Sequence, residues 1–105
     1  MKLITINCTF SFSGTEQNAI NHFNPMQKTL TFENSEFVGT SAEHHSGIFT
    51  EKVGIDEGET VQEVLNDYFL VHNPELKGEY FEVKDEEGNE IISIDDWNGE
   101  EIIIN

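Results

Sequence analysis

Residues 2–12 alternate almost without fault: Ile4, Ile6, Cys8, Phe10 and Phe12 take one parity, and Thr5, Asn7, Thr9 and Ser11 the other. A period of two in β-branched and aromatic residues predicts a strand with one face in a core. Ser13-Gly14-Thr15-Glu16 then has the S-x-x-E form of a capping box, in which serine and glutamate satisfy each other's free backbone N–H groups. Ala19, Ile20 and Phe23 share one face of the helix so begun, and Pro25 ends it. Leu30 and Phe32 open a second strand that extends through Phe37 and Val38. Residues 39–47 read as a loop, and residues 48–55 as a third strand with Phe49, Val53 and Ile55 inward.

The clearest helix comes next. Thr60 and Glu63 form another capping box, Val61, Val64, Leu65, Tyr68 and Val71 line one side at helical spacing, and Pro74 stops the run. Phe69 and Leu70 fall beside or outside that stripe, free to cover another element or to meet a partner. The chain then returns to strand patterns over 80–84 and 91–94, joined by the turn Asp85-Glu86-Glu87-Gly88-Asn89. Asn98-Gly99 is a tight-turn dipeptide, and residues 102–104, isoleucine throughout, read as a closing strand open to pairing with a second copy of the chain.

The resulting order, β-α-β-β-α-β with extra strands at the end, predicts an α+β fold. The expected form is a ferredoxin-like antiparallel sheet with two helices on one face and an additional C-terminal hairpin. A sheet curved around the second helix alone is the rival arrangement. The 105 residues suit one acidic α+β domain spanning 1–105, its single core supplied with large area by eight Phe, two Tyr and one Trp. No leader-like or membrane-length apolar run interrupts the pattern, which points to a cytoplasmic protein. The lone Cys8 excludes an internal disulfide framework.

Charge changes this picture more than composition does. The formal net charge is −16 and there is no arginine. Residues 1–50 hold four acids against two lysines, a net of −2, while residues 51–105 hold seventeen against three, a net of −14. A small domain stays soluble at a magnitude of about 2–8, so the excess, which costs stability through self-repulsion, asks for a basic partner. Glu59, Glu63 and Asp67 recur every fourth residue on the outer side of the main helix, where like charges repel by about 0.2–0.5 kcal/mol per pair. Glu82, Asp85, Glu86, Glu87, Glu90, Asp95 and Asp96 crowd the hairpins beyond it, next to the single Trp97. Spacings of roughly 6–7 Å between same-face residues of a strand can imitate a row of backbone phosphates.

Other chemistry finds little footing. The loop 85–89 lacks the spacing of an EF-hand, since Gly88 comes fourth from Asp85 and no glutamate closes a twelve-residue frame. Glu43-His44-His45 reads as an exposed loop pair without the third and fourth ligands that zinc requires. No G-x-S-x-G or phosphate-cradling glycine loop occurs. Without arginine, a direct clamp on nucleic acid or phosphate is unsupported. No enzyme activity, cofactor or metal is therefore expected.

The function expected from these features is that of a non-enzymatic inhibitor. Its surface at 57–67 and 79–101 would occupy the basic nucleic-acid-binding face of a nuclease or similar protein. Phage anti-restriction and anti-CRISPR proteins are the functional category that best suits a small, acidic, arginine-free chain whose residue palette points to low-GC coding sequence, a placement by character and not by homology. The contact residues would be Glu59, Glu63, Asp67, Glu82, Asp85, Glu86, Glu87, Glu90, Asp95, Asp96 and Trp97. An immunity protein against a basic nuclease toxin, or a small structural or regulatory module that dimerises through its C-terminal strand, is the alternative.

Overall fold

A computed structural model describes residues 2–23, 29–38 and 42–104. The elements run β1 (Lys2–Ser13), α1 (Glu16–Phe23), β2 (Thr29–Val38), β3 (Ala42–Ile55), α2 (Val61–Asn66), β4 (Phe81–Lys84) and β5 (Glu90–Ile94). This is an α+β fold, with the five strands in one antiparallel sheet of order β2-β3-β1-β4-β5. Contacts gather the chain into two units, residues 7–51 and residues 1–6 with 52–105.

In residues 7–51 the expected parity of β1 holds: Cys8 and Phe10 are buried. The start of α1 differs from the expected capping box. Gly14, at φ +140°, turns the chain two residues before the helix, so Thr15 becomes the cap and its Oγ1 accepts the Asn18 N–H at 3.1 Å. Ser13 instead lies with its Oγ 3.3 Å from His44 Nδ1. Ala19 and Phe23 of α1 are buried, and the Phe23 ring packs 5.2 Å from Phe10 and 6.3 Å from Phe49. The stop expected at Pro25 lies outside the described residues.

The second correction concerns residues 42–47, read as part of a loop. They form the first half of β3 and pair with β2 from Val38↔Ala42 down to Thr29↔Thr50, with a bulge between Phe32 and Asn34. Their polar sequence hides the alternation, because an imidazole and a glycine take the inward positions. His45, Gly47 and Phe49 are all buried. Gly47 is required there: a Cβ would collide with the carbonyl oxygen of Thr31 on the facing strand. Residues 39–41 of the expected loop lie outside the described residues.

In residues 1–6 with 52–105, α2 opens on the expected Thr60 cap, with Glu63 accepting from the Thr60 hydroxyl where a capping box has it accept from the backbone N–H. Thr60 Oγ1 accepts the Glu63 N–H at 3.1 Å and lies 3.0 Å from Glu63 Oε1. Val64 and Leu65 are buried as their spacing requires. From Asp67 to His72 the helix widens into a π-helical turn. One extra residue in a turn rotates the residues beyond it by about 100° relative to an α-helix. Tyr68 and Phe69 therefore face inward, while Val71, expected in the buried stripe, is 66% exposed. Asn73, itself buried, donates its side-chain N–H to the Tyr68 carbonyl at 2.8 Å, taking up an acceptor near the helix end. Phe69 is fully buried, stacked 4.1 Å from Phe81 with Trp97 at 5.3 Å.

β4 and β5 pair with Phe81↔Ile94 and Val83↔Ile92 on one parity, and Phe81 and Val83 are buried. Residues 101–104 form no strand, contrary to expectation. The side-chain amides of α2 take the place of a neighbouring strand. Asn66 donates to the Ile102 carbonyl at 2.9 Å and accepts the Ile102 N–H at 2.6 Å, and Gln62 Oε1 accepts the Ile104 N–H at 2.9 Å. Ile102 is buried and Ile103 points out, 62% exposed. The extra C-terminal hairpin thus reduces to one added strand, β5, and a docked tail. The strand edge on which a dimer was expected is not formed by residues 101–104.

Asn66→Ala removes both bonds that hold Ile102 and should lower stability by about 2 kcal/mol in urea unfolding, while Ile103→Asp should change it by less than about 0.5 kcal/mol. Equal effects would restore the closing strand. For the π turn, Phe69→Ala should cost about 3–5 kcal/mol and Val71→Ser under about 0.5 kcal/mol, and the reverse ranking would indicate a regular α-helix through residue 71.

Candidate partner-binding surface

The two units share the charge unevenly. Residues 1–6 with 52–105 carry sixteen acids against four lysines, a net of −12, and residues 7–51 carry five against one. Lys84 Nζ lies 3.7 Å from Glu82 Oε1, and four lysines in this unit fall far short of matching its sixteen acids.

A groove collects part of the predicted set. A cavity of about 380 Å³ is bounded by Asp85, Glu86 and Glu87 of the β4–β5 turn and floored by Ile4, Ile55 and Ile91. Leu3, Val61 and Ile104 complete its apolar wall. An adjoining depression, which shares Lys2 and Ile55, is bounded by Asp56, Glu57 and Glu59 of the β3–α2 turn. Acids from two separate stretches of sequence thus border two depressions that meet at Lys2 and Ile55. Several are held in place by the backbone. Asp85 Oδ1 accepts the N–H groups of Glu87 and Asn89, each at 2.9 Å, and Glu86 Oε1 accepts the Leu3 N–H at 2.7 Å. Glu59 Oε1 accepts the Asp56 N–H at 2.9 Å.

Glu82, Glu90 and Asp95 form a second group, around Tyr80. The Tyr80 hydroxyl donates to Glu82 Oε2 at 3.3 Å. Its phenol is raised above the ordinary value of 10.0, first by loss of water around it, then by the charge and hydrogen bond of Glu82, and further by the charges of Glu90 and Asp95. Three carboxylates therefore act on one phenol.

The helix row is less uniform than its spacing suggests. Glu63 belongs to the helix cap, and Asp67 lies 3.2 Å from His72 Nε2. Both stay exposed. Asp96, also exposed, adopts φ 87°, a left-handed conformation that aspartate tolerates better than most residues. Trp97 does not belong to the surface. It is 1% exposed, its Nε1–H donates to the Glu100 carbonyl at 2.9 Å, and its ring closes the Phe69–Phe81 stack. Of the predicted contacts, then, ten acids stand at or near the surface and the tryptophan is core.

His45 is the residue that sequence reasoning misses. It is 2% exposed, with Ser35 Oγ 2.8 Å from Nδ1, Glu43 Oε1 3.8 Å from Nε2 and Glu16 Oε1 4.0 Å from Nδ1. Serine, imidazole and carboxylate stand in line, but 3.8 Å exceeds a hydrogen bond, and Ser35–His45 reads as a tie between β2 and β3. A short polar run flanked by pairing partners is the available signal for it. Cys8 is buried, and no group of three or more metal-type ligands gathers among the described residues. No helix among them is long and apolar enough to cross a membrane.

No family model, curated protein or solved structure matches this chain.

The Tyr80 phenol gives the acidic group a direct readout. Between the ordinary phenol value and its raised one, the folded chain keeps a proton that the unfolded chain releases, so Tyr80's contribution to stability falls as pH rises through that window. Titration of tyrosinate absorbance, with the Tyr80 signal assigned by difference against Tyr80→Phe, should show this phenol ionising above the ordinary value and moved back down by Glu82→Gln. An unmoved transition would separate the carboxylate from the phenol.

Proposed function

We propose that this chain is a non-enzymatic inhibitor that lays its acidic surface over a basic, nucleic-acid-binding face of another protein in the bacterial cytoplasm. The observation that carries this reading is the supply of unneutralised carboxylates. Glu57, Glu87, Glu90, Asp95, Asp96 and Glu101 are exposed, and no hydrogen bond or ion pair holds their side chains among the described residues. Carboxylates in that state replace phosphates against lysines and arginines of the target, and they steer its approach. Those fixed by the backbone, at Glu59, Asp85 and Glu86, are ordered before contact and lose less entropy on binding. The contact set becomes Glu59, Glu63, Asp67, Glu82, Asp85, Glu86, Glu87, Glu90, Asp95 and Asp96, without Trp97. Anti-CRISPR and anti-restriction proteins are the functional category that fits such a surface.

For the fold, we infer the ferredoxin-like, split β-α-β form with β5 appended. The support is that β3 lies between β1 and β2 in the sheet, and β1 between β3 and β4.

The test is competition. With the chain as bait, a target captured from a bacterial lysate in about 50 mM salt should release duplex DNA as the chain is added, and should lose the chain by about 200 mM salt. Glu87→Lys with Glu90→Lys, which breaks no bond of the fold, should weaken capture by about ten-fold or more. A ternary complex in which DNA stays bound, or affinity flat across the salt series, would defeat the proposal.

A further inference from the structure

Mimicry of phosphate needs only carboxylates, yet the groove beside the β4–β5 turn has an apolar floor. Ile4 and Ile55 are buried in it, Leu3 is 42% exposed at its edge, and Val61, Ile91 and Ile104 are partly exposed along it. Its walls are pinned. The Leu3 N–H to Glu86 bond at 2.7 Å ties the turn to β1, and the Ile104 N–H to Gln62 bond at 2.9 Å ties the tail to α2. A volume of about 380 Å³ stands at the small end of ligand pockets, which run from about 300 to 1,000 Å³, and is ample for a large apolar side chain.

We propose that this groove seats one apolar side chain of a basic protein segment, a leucine, methionine or phenylalanine flanked by lysines or arginines. The inference rests on the basic-partner reading and adds the residue that fixes register on that partner. Charge complementarity selects the occupant. Asp85, Glu86 and Glu87 border the cavity, and Asp56, Glu57 and Glu59 border the depression that shares Lys2 and Ile55 with it. A second copy of the chain, at −16, is repelled, as is any fatty acid or anionic lipid. Exposed ion pairs each contribute little, so a rim of them steers without holding. An apolar anchor sunk into a preformed pocket and ringed by polar contacts is the arrangement that holds. Lys2, the cation lining the groove, opposes the occupant's flanking charges and is a handle on them.

The probes are two capped peptides, Lys-Lys-Phe-Lys-Lys and Lys-Lys-Ala-Lys-Lys, titrated into isotope-labelled protein and followed by amide shifts. The phenylalanine peptide should bind about ten-fold tighter, with shifts centred on Leu3, Ile91 and Ile104. Leu3→Ser should abolish the difference between the peptides while the rest of the spectrum stays folded. Lys2→Gln should tighten both by about two-fold. Equal affinity of the two peptides, or no binding of either, would overturn the anchor and leave the basic-partner reading to its own DNA competition. Equal binding of Glu-Glu-Phe-Glu-Glu would overturn the basic occupant of the groove. Loss of DNA competition with the peptide difference intact would defeat the inhibitor reading and spare this one.

Discussion

Stacking of Phe69 on Phe81, closed by Trp97, is the interaction on which residues 52–105 depend. These residues bring the last turn of the helical segment, the first residue of β4 and the segment after β5 to one point. All three are buried, and side chains of this size contribute roughly 1.5–3 kcal/mol each from burial, with more from ring geometry. A unit with a net of −12 needs such a concentration of apolar area, since its carboxylates repel one another and, among the described residues, almost none is paired with a lysine. The hydrogen bond from Trp97 Nε1 to Glu100 extends the same anchor into the acidic segment that comes after it.

The π turn is a consequence of that stack. A regular α-helix from Val61 would turn Val71 inward and leave Phe69 on the flank, which is how a period of 3.6 reads the sequence. Burying Tyr68 and Phe69 side by side requires a wider turn. The geometry is steadied by Asn73, whose side chain bonds the Tyr68 carbonyl. Single-sequence periodicity carries no sign of this, because the reward for the insertion sits at Phe81 and Trp97, far along the chain. The strands of strict alternation are legible for the opposite reason: β1 states its own pattern locally, and so does the turn after β4. β3 is half legible. Its apolar half reads plainly, whereas His45 and Gly47 occupy inward positions that only the pairing with β2 reveals.

The same distinction governs the acids. Sequence shows how many there are and in which half, but not which are committed. Asp85 organises its turn, Glu63 accepts from the Thr60 hydroxyl that caps α2, Glu59 and Glu86 bond distant or neighbouring N–H groups, and Glu82 meets Tyr80 and Lys84. Each of these has a structural reason to be acidic that owes nothing to a partner. No hydrogen bond or ion pair holds the side chains of Glu57, Glu87, Glu90, Asp95, Asp96 and Glu101 among the described residues, and they carry the weight of the functional reading.

A fold that uses some of its carboxylates as internal acceptors also fixes where the others stand. Glu87 comes directly after the residue bonded to β1 and has its own N–H bound by Asp85, so its backbone is set even though its side chain is not. Glu57 lies between Asp56 and Glu59, which bond each other through backbone and side chain. Each unpartnered carboxylate at the groove is therefore carried on a tied turn, with apolar ground between the two. Charge on mobile tails would give attraction without register. Charge on tied turns beside a pinned apolar floor defines both where a cation must stand and what must lie next to it, and that pairing is what turns a net charge into a surface with a shape.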